Sequence, residues 1–179
     1  MRTPINLVLG SLCALALVAP ADEPEAAAET ASEILLPFKK SLKQALVKGM
    51  ESGPMEAMDV CRIKAPKLAA QAARPGVTLG RTSHKLRNPS NAPADWMKPL
   101  LKAYRAADGK QPARTVQLTD GKTGYVEPIY AQTLCLTCHG TNLAPPVQEH
   151  LASRYPNDQA TGFSDGDFRG RFWVVLDPP

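Results

Sequence analysis

The period of the apolar positions changes repeatedly along the chain, and each change predicts an element. From about Ser32, the residues Ile34, Leu35, Phe38, Leu42, Ala45 and Leu46 recur at spacings of three and four. That is one face of an amphipathic helix. Pro37 falls early in the run and predicts its first turn or a kink. Gly53-Pro54 breaks the pattern. A second helix is expected beyond it, with Ala57, Val60, Cys61, Ala65, Leu68 and Ala69 on one side and a bend at Pro66. After the Pro75-Gly76 turn the pattern shortens, and Val77 to Ser83 reads as a strand. Residues 87–93, rich in Asn and Pro, read as an ordered loop. Asp95 is the expected N-cap of a helix carrying Trp96, Leu100, Leu101 and Tyr104. Thr115–Thr119 and Thr123–Glu127 flank Asp120-Gly121, which predicts a hairpin. A helical turn is expected after Leu134, a short helix over Val147–Tyr155, a turn over Phe163–Asp167 and a closing strand over Arg171–Leu176. Helices first and antiparallel strands afterwards give an α+β class, here one domain over residues 32–179. The acidic, alanine-rich stretch 22–31 shows no such period and is expected to be a loose lead-in.

The N-terminus follows a different rule. Arg2 precedes the apolar run Leu7–Val18, and Ala19-Pro20-Ala21 offers a small-residue cleavage pattern. This is the layout of a secretory signal peptide over residues 1–21, too short to be a comfortable membrane span. A lipid anchor on Cys13 is the alternative, but Leu12 stands where a small residue is wanted. Cleavage would leave the mature chain exported, in a periplasmic or similar compartment, with no integral membrane span.

Composition adds little to this picture. The net charge is +4, and removing Arg2 brings it to about +3. Such a mild balance points to neither nucleic acid nor a membrane surface. No hydrolytic constellation, glycine-rich phosphate loop or nucleic-acid module is present. Asp165 and Asp167 read as turn residues rather than a carboxylate pair.

The decisive chemistry is Cys135-Leu136-Thr137-Cys138-His139. The spacing C-x-x-C-H reads as a c-type haem attachment site. Two thiols three positions apart add to the two vinyl groups of one haem, and the adjacent imidazole reaches the iron. One covalent haem c is therefore expected, with His139 as an iron ligand. A redox dithiol does not need the histidine, and a zinc site needs a second ligand pair that the chain lacks. The cysteine count then leaves Cys61 without a partner in an oxidising compartment, where a free thiol is a liability. No methionine follows His139, unlike the arrangement of an ordinary small helical cytochrome c.

Several phrases occur together in order: Ala57-Met58-Asp59-Val60-Cys61 with Ala65-Pro66; Gly80-Arg81-Thr82-Ser83 with Lys85-Leu86-Arg87-Asn88-Pro89 and Asn91-Ala92-Pro93; Glu127-Pro128-Ile129 before the cysteine motif; and Gly166-Asp167-Phe168-Arg169-Gly170 before the last strand. With these the chain resembles the single-haem c-type family with a PAS-like fold, found as small exported cytochromes and as the extracytoplasmic part of some bacterial sensor kinases. The resemblance implies a central antiparallel sheet flanked by helices. It also implies iron held by the motif histidine, His139, and by a cysteine of an early helix, Cys61. A buried thiol acting as a small hydrophobe is the alternative for Cys61, and His84 and His150 are the rival ligands.

Arg81, Lys85 and Arg87 form a basic cluster that is either a solvated loop or a partner for the haem propionates. Tyr130, Phe163 and Trp173 are candidates for the haem wall, and equally for an ordinary core. The leading expectation is a low-potential electron carrier, because two protein ligands close the iron and an anionic sulfur favours Fe(III). A haem-based redox or gas sensor is the alternative, and an enzyme acting on sulfur compounds or peroxide a further one. The sequence names no redox partner, and no kinase module follows the domain within residues 1–179.

Overall fold

The structure, a computed structural model, describes residues 23–178. The expected signal segment and its cleavage point lie outside the described residues. Helix α1 spans Glu23–Glu51 and α2 spans Pro54–Ala72. The loose lead-in expected over 22–31 is therefore corrected: the chain is helical from Glu23 onward. Its alanines are strong helix formers, and Glu23 and Glu25 in the first turn complement the helix dipole. Neither Pro37 nor Pro66 ends its helix. Both lie inside, where each removes one backbone donor that flanking packing must offset.

The two helices form an antiparallel hairpin. Gly53, at φ 109°, makes the turn, and Pro54 opens α2. Gly49 lets the helices close: a Cβ there would stand 2.7 Å from the Ala57 Cα. One face of α1, carrying Ala31, Leu35, Phe38 and Leu42, packs with Ala65 of α2 onto the sheet residues Leu79, Tyr125 and Val174. Phe38 meets Phe172 edge-on at 6.0 Å.

The sheet has four strands: β1 (Val77–Thr82), β2 (Arg114–Gln117), β3 (Thr123–Tyr130) and β4 (Phe168–Leu176). Their order is β1-β4-β3-β2, and every pair is antiparallel. The β2–β3 hairpin is as expected, with Gly121 at φ 79°. The last strand is inserted between the first and third, so Thr82 pairs with Arg171 and Tyr130 with Phe168. The ends of β1 and β3 and the start of β4 thus meet at one end of the sheet.

Helix α3 (Met97–Ala106) lies on the face opposite α1 and buries Met97, Leu101 and Tyr104. Asp95 does not cap it through its side chain, which pairs with Lys98 at 2.7 Å instead. On this face Trp96 lies over Gly124 and Trp173 over Gly80. Helices α4 (Thr133–His139) and α5 (Pro145–Arg154) follow β3 and stack beside α2. No helix among the described residues is long and apolar enough to cross a membrane.

Candidate haem site

The C-x-x-C-H motif is itself helix α4. Cys135 and Cys138 are one turn apart, both thiols are free, and Cys138 is buried. The helix ends at Gly140, which leaves the helical conformation, and only glycine fits there: a Cβ would stand 2.6 Å from the Leu136 carbonyl oxygen. The following loop clasps the helix end. Gly162 donates to the Gly140 carbonyl at 2.9 Å, and Phe163 to the His139 carbonyl at 3.0 Å.

His139 is oriented by the same loop. Its Nδ1 lies 2.6 Å from the Ala160 carbonyl oxygen. A carbonyl only accepts, so Nδ1 carries the proton and Nε2 keeps its lone pair. This is how a metal-binding imidazole is usually set. Burial, with Arg169, Arg87 and Arg81 nearby, lowers the His139 pKa to about 2, so the ring is neutral and ready to donate. Phe163 stands edge-on to the ring at 6.4 Å.

Cys61 reaches this place from α2. Met58, one turn earlier on the same helix, packs with Cys138, Val147 and Leu151 in a second small core. Burial raises the Cys61 pKa, and the Arg81 and Arg87 guanidiniums pull it back down. The Cys138 thiol is likewise raised by burial and by the charge of Cys61 and Cys135, with Arg87 opposing. The fold thus brings together Cys61, Cys135, Cys138 and His139, which are far apart in sequence.

The two arginines expected here differ in role. Arg87 is fully engaged. It donates through Nη2 to the Cys138 carbonyl at 2.6 Å, to Asp158 Oδ2 at 2.9 Å and to the Ala160 carbonyl at 3.3 Å. It therefore ties α4 to the loop that holds His139. Arg81 forms no ion pair among the described residues, and burial lowers its pKa. It is the freer cation of the pair.

Sequence reasoning missed two features. Arg169, at the start of β4, donates to Ser83 Oγ at 2.8 Å, while its Nε is buried without a partner among the described residues. Burial, Arg87 and Arg81 bring its pKa to about 10. Its only sequence signal is its place in the Phe168-Arg169-Gly170 block. The second is the loop over Asp158–Phe163, whose bonds to α4 are mostly backbone and leave no trace in residue type.

The remaining candidates lie around this centre. His150 Nε2 stands 3.3 Å from Asp59 Oδ2, held against α2. His84 stacks on Phe168 at 5.8 Å and meets Phe163 edge-on at the same distance. Tyr130 accepts the Gln111 backbone N–H and contacts Phe168, and Trp173 covers Gly80. Of the three aromatic wall candidates, Phe163 is the one whose ring pairs with that of His139, at 6.4 Å between centroids. Lys85 donates to the Thr161 carbonyl at 2.9 Å and lies over the Phe163 ring.

Fold and site together define an α+β domain in which a C-x-x-C-H helix at one end of a four-stranded antiparallel sheet faces a cysteine-bearing helix. The chain belongs to the Tll0287-like family, whose model matches residues 20–176. Among solved structures it is similar to the crystal structure of the cyanobacterial heme-protein Tll0287. The two are 23% identical over 88% of this chain and 98% of that one, with a TM-score of 0.59. At that identity the likeness concerns the fold. No curated protein matches the chain.

Proposed function

We propose that the protein is an exported carrier of one haem c, attached through Cys135 and Cys138, with iron held by His139 and Cys61, and that it transfers electrons at low potential. The observation that carries this reading is the approach of Cys61, on α2, to the C-x-x-C-H helix α4, whose histidine is already fixed with its Nε2 lone pair free.

The residues present fit the group. Two free thiols stand three positions apart in the sequence, the spacing of a c-type haem attachment motif. One neutral imidazole and one thiol supply a nitrogen and a soft sulfur donor. Arg81 and Arg169, whose Nε has no partner among the described residues, offer positive charge for the propionates. When bound, the haem supplies a one-electron couple. The chain's own residues set its terms. Ala160 fixes the imidazole tautomer, Arg81 and Arg87 favour the thiolate of Cys61, and Phe163 shields the His139 ring. An anionic sulfur favours the oxidised iron, which lowers the potential. The relationship to a heme-protein supports the haem-binding part of this reading.

The test is covalent attachment. After export and denaturation, wild-type protein is expected to keep its haem, with a mature chain beginning near Asp22. Cys135→Ser and Cys138→Ser should each lose one linkage and much of the bound haem. Full covalent haem in both variants would refute the proposal.

A further inference from the structure

The other face of the sheet carries a buried charge that the haem site does not use. Strand β4 sends Phe172 and Val174 toward α1, so alternation sends Arg171 toward α3. Arg171 is 0% exposed. All three nitrogens of its guanidinium lack a hydrogen-bond partner among the described residues. The group lies 4.6 Å from the Tyr104 ring centroid and 5.9 Å from that of Phe168. His84 stacks on the same Phe168 ring, and its buried Nδ1 is also unpartnered among the described residues. The Tyr104 hydroxyl is already committed, donating to the Pro112 carbonyl at 2.5 Å.

The surrounding charges have one sign. Arg114 lies 5.2 Å from the Tyr104 ring and Lys110 5.9 Å from the Tyr130 ring. His84 is faced by Arg105, Arg169 and Lys85, and Arg171 by Arg114, with no carboxylate among the described residues acting on either. Burying an unpaired guanidinium is unfavourable, and stacking on tyrosine offsets only part of the loss. A planar ligand with negative charge and two coplanar acceptors offsets the rest, because it matches the guanidinium fork. This place adjoins the haem residues, with Phe163 between His84 and His139 and Arg169 facing both, but Arg171 itself lies apart from them. Cys61 and His139 feel the charges of Arg81 and Arg87, whereas Arg171 acts on Tyr104.

We propose that Arg171, with His84, binds a small planar anion, a carboxylate or an oxoanion of similar shape, against Tyr104 and Phe168 on the α3 face of the sheet. Thermal unfolding of the haem-loaded protein tests this in formate, acetate and nitrate, with ionic strength fixed by chloride, a spherical anion. A saturable rise in Tm with at least one of the three is expected, together with a bound-state signal for isotope-labelled formate. Arg171→Met removes the charge while keeping an apolar side chain of similar reach, and should abolish both responses. Should that variant fail to fold, His84→Gln keeps Arg171 and is expected to weaken binding by roughly tenfold. Wild-type protein without a saturable response, or either variant responding like wild type, overturns the proposal. So does a changed pH dependence of the haem potential in Arg171→Met with no anion response, which would assign the guanidinium to the propionates.

Discussion

Single side chains at the centre have separable duties, and charge separates them. Arg81 is close to Cys61 without being tied into the loop, whereas Arg87 holds α4 to Asp158. Arg81→Gln is therefore expected to leave the fold intact and lower the midpoint potential by roughly tens of millivolts, because a cation near the iron favours the reduced state. Arg87→Gln should instead loosen His139 and lower Tm, which thermal unfolding detects. His84 gives a pH signature. Burial, Arg105, Arg169 and Lys85 lower its pKa from 6.5 to about 4. Below pH 6.5 the unfolded chain takes up a proton that the fold refuses. Stability should thus fall as pH drops from 6.5 to about 4, by about 1 to 2 kcal/mol after allowing for solvent. His84→Phe should flatten that part of the stability curve in buffers free of carboxylates. At this scale the motif residues were legible because their chemistry is local: C-x-x-C-H is five consecutive residues, and Cys61 stood out by count. Arg169 was not legible, since a charge at a strand start resembles any surface arginine until β4 is placed beside β1.

Elements hold these side chains in place through a few close approaches. The hairpin of α1 and α2 closes at Gly49, against the Ala57 backbone. Because Met58 follows Ala57 and Cys61 lies one turn on, Gly49→Val should shift the α2 face that meets α4. A cost of about 1 to 3 kcal/mol is expected, with a disturbed iron spectrum, read by unfolding and absorption together. Gly140→Ala meets the Leu136 carbonyl and should loosen the end of α4 by a similar amount, with weaker retention of the His139 ligand. The amphipathic faces of α1 and α3 and the Asp120-Gly121 hairpin were legible in the periodicity. The start of α1 was not, because alanines and glutamates form helix without an apolar stripe. The passage of α1 and α2 through Pro37 and Pro66 was legible, because the apolar period continues on both sides of each proline. The Asp158–Phe163 loop was silent because its work is done by backbone groups.

Across the whole molecule, topology assembles the site. Placing β4 between β1 and β3 brings residues 81–87, 135–139 and 158–171 to one end of the sheet, while the α1–α2 hairpin carries Cys61 to the same place. An α+β class was legible from the order of periods, but not the strand order, which no local pattern encodes. One end of the sheet then carries the thiols and imidazole, reached from α2 and α4, while its α3 face carries the buried Arg171. The most direct measurement is electron paramagnetic resonance of the oxidised protein, wild type against Cys61→Ser, with the midpoint potential of each. Wild type is expected to be low-spin and, once reduced, indifferent to carbon monoxide. Cys61→Ser should keep its covalent haem, turn at least partly high-spin and rise in potential by roughly 100 mV or more. An unchanged low-spin signal and an unchanged potential in the variant would contradict Cys61 as the iron ligand.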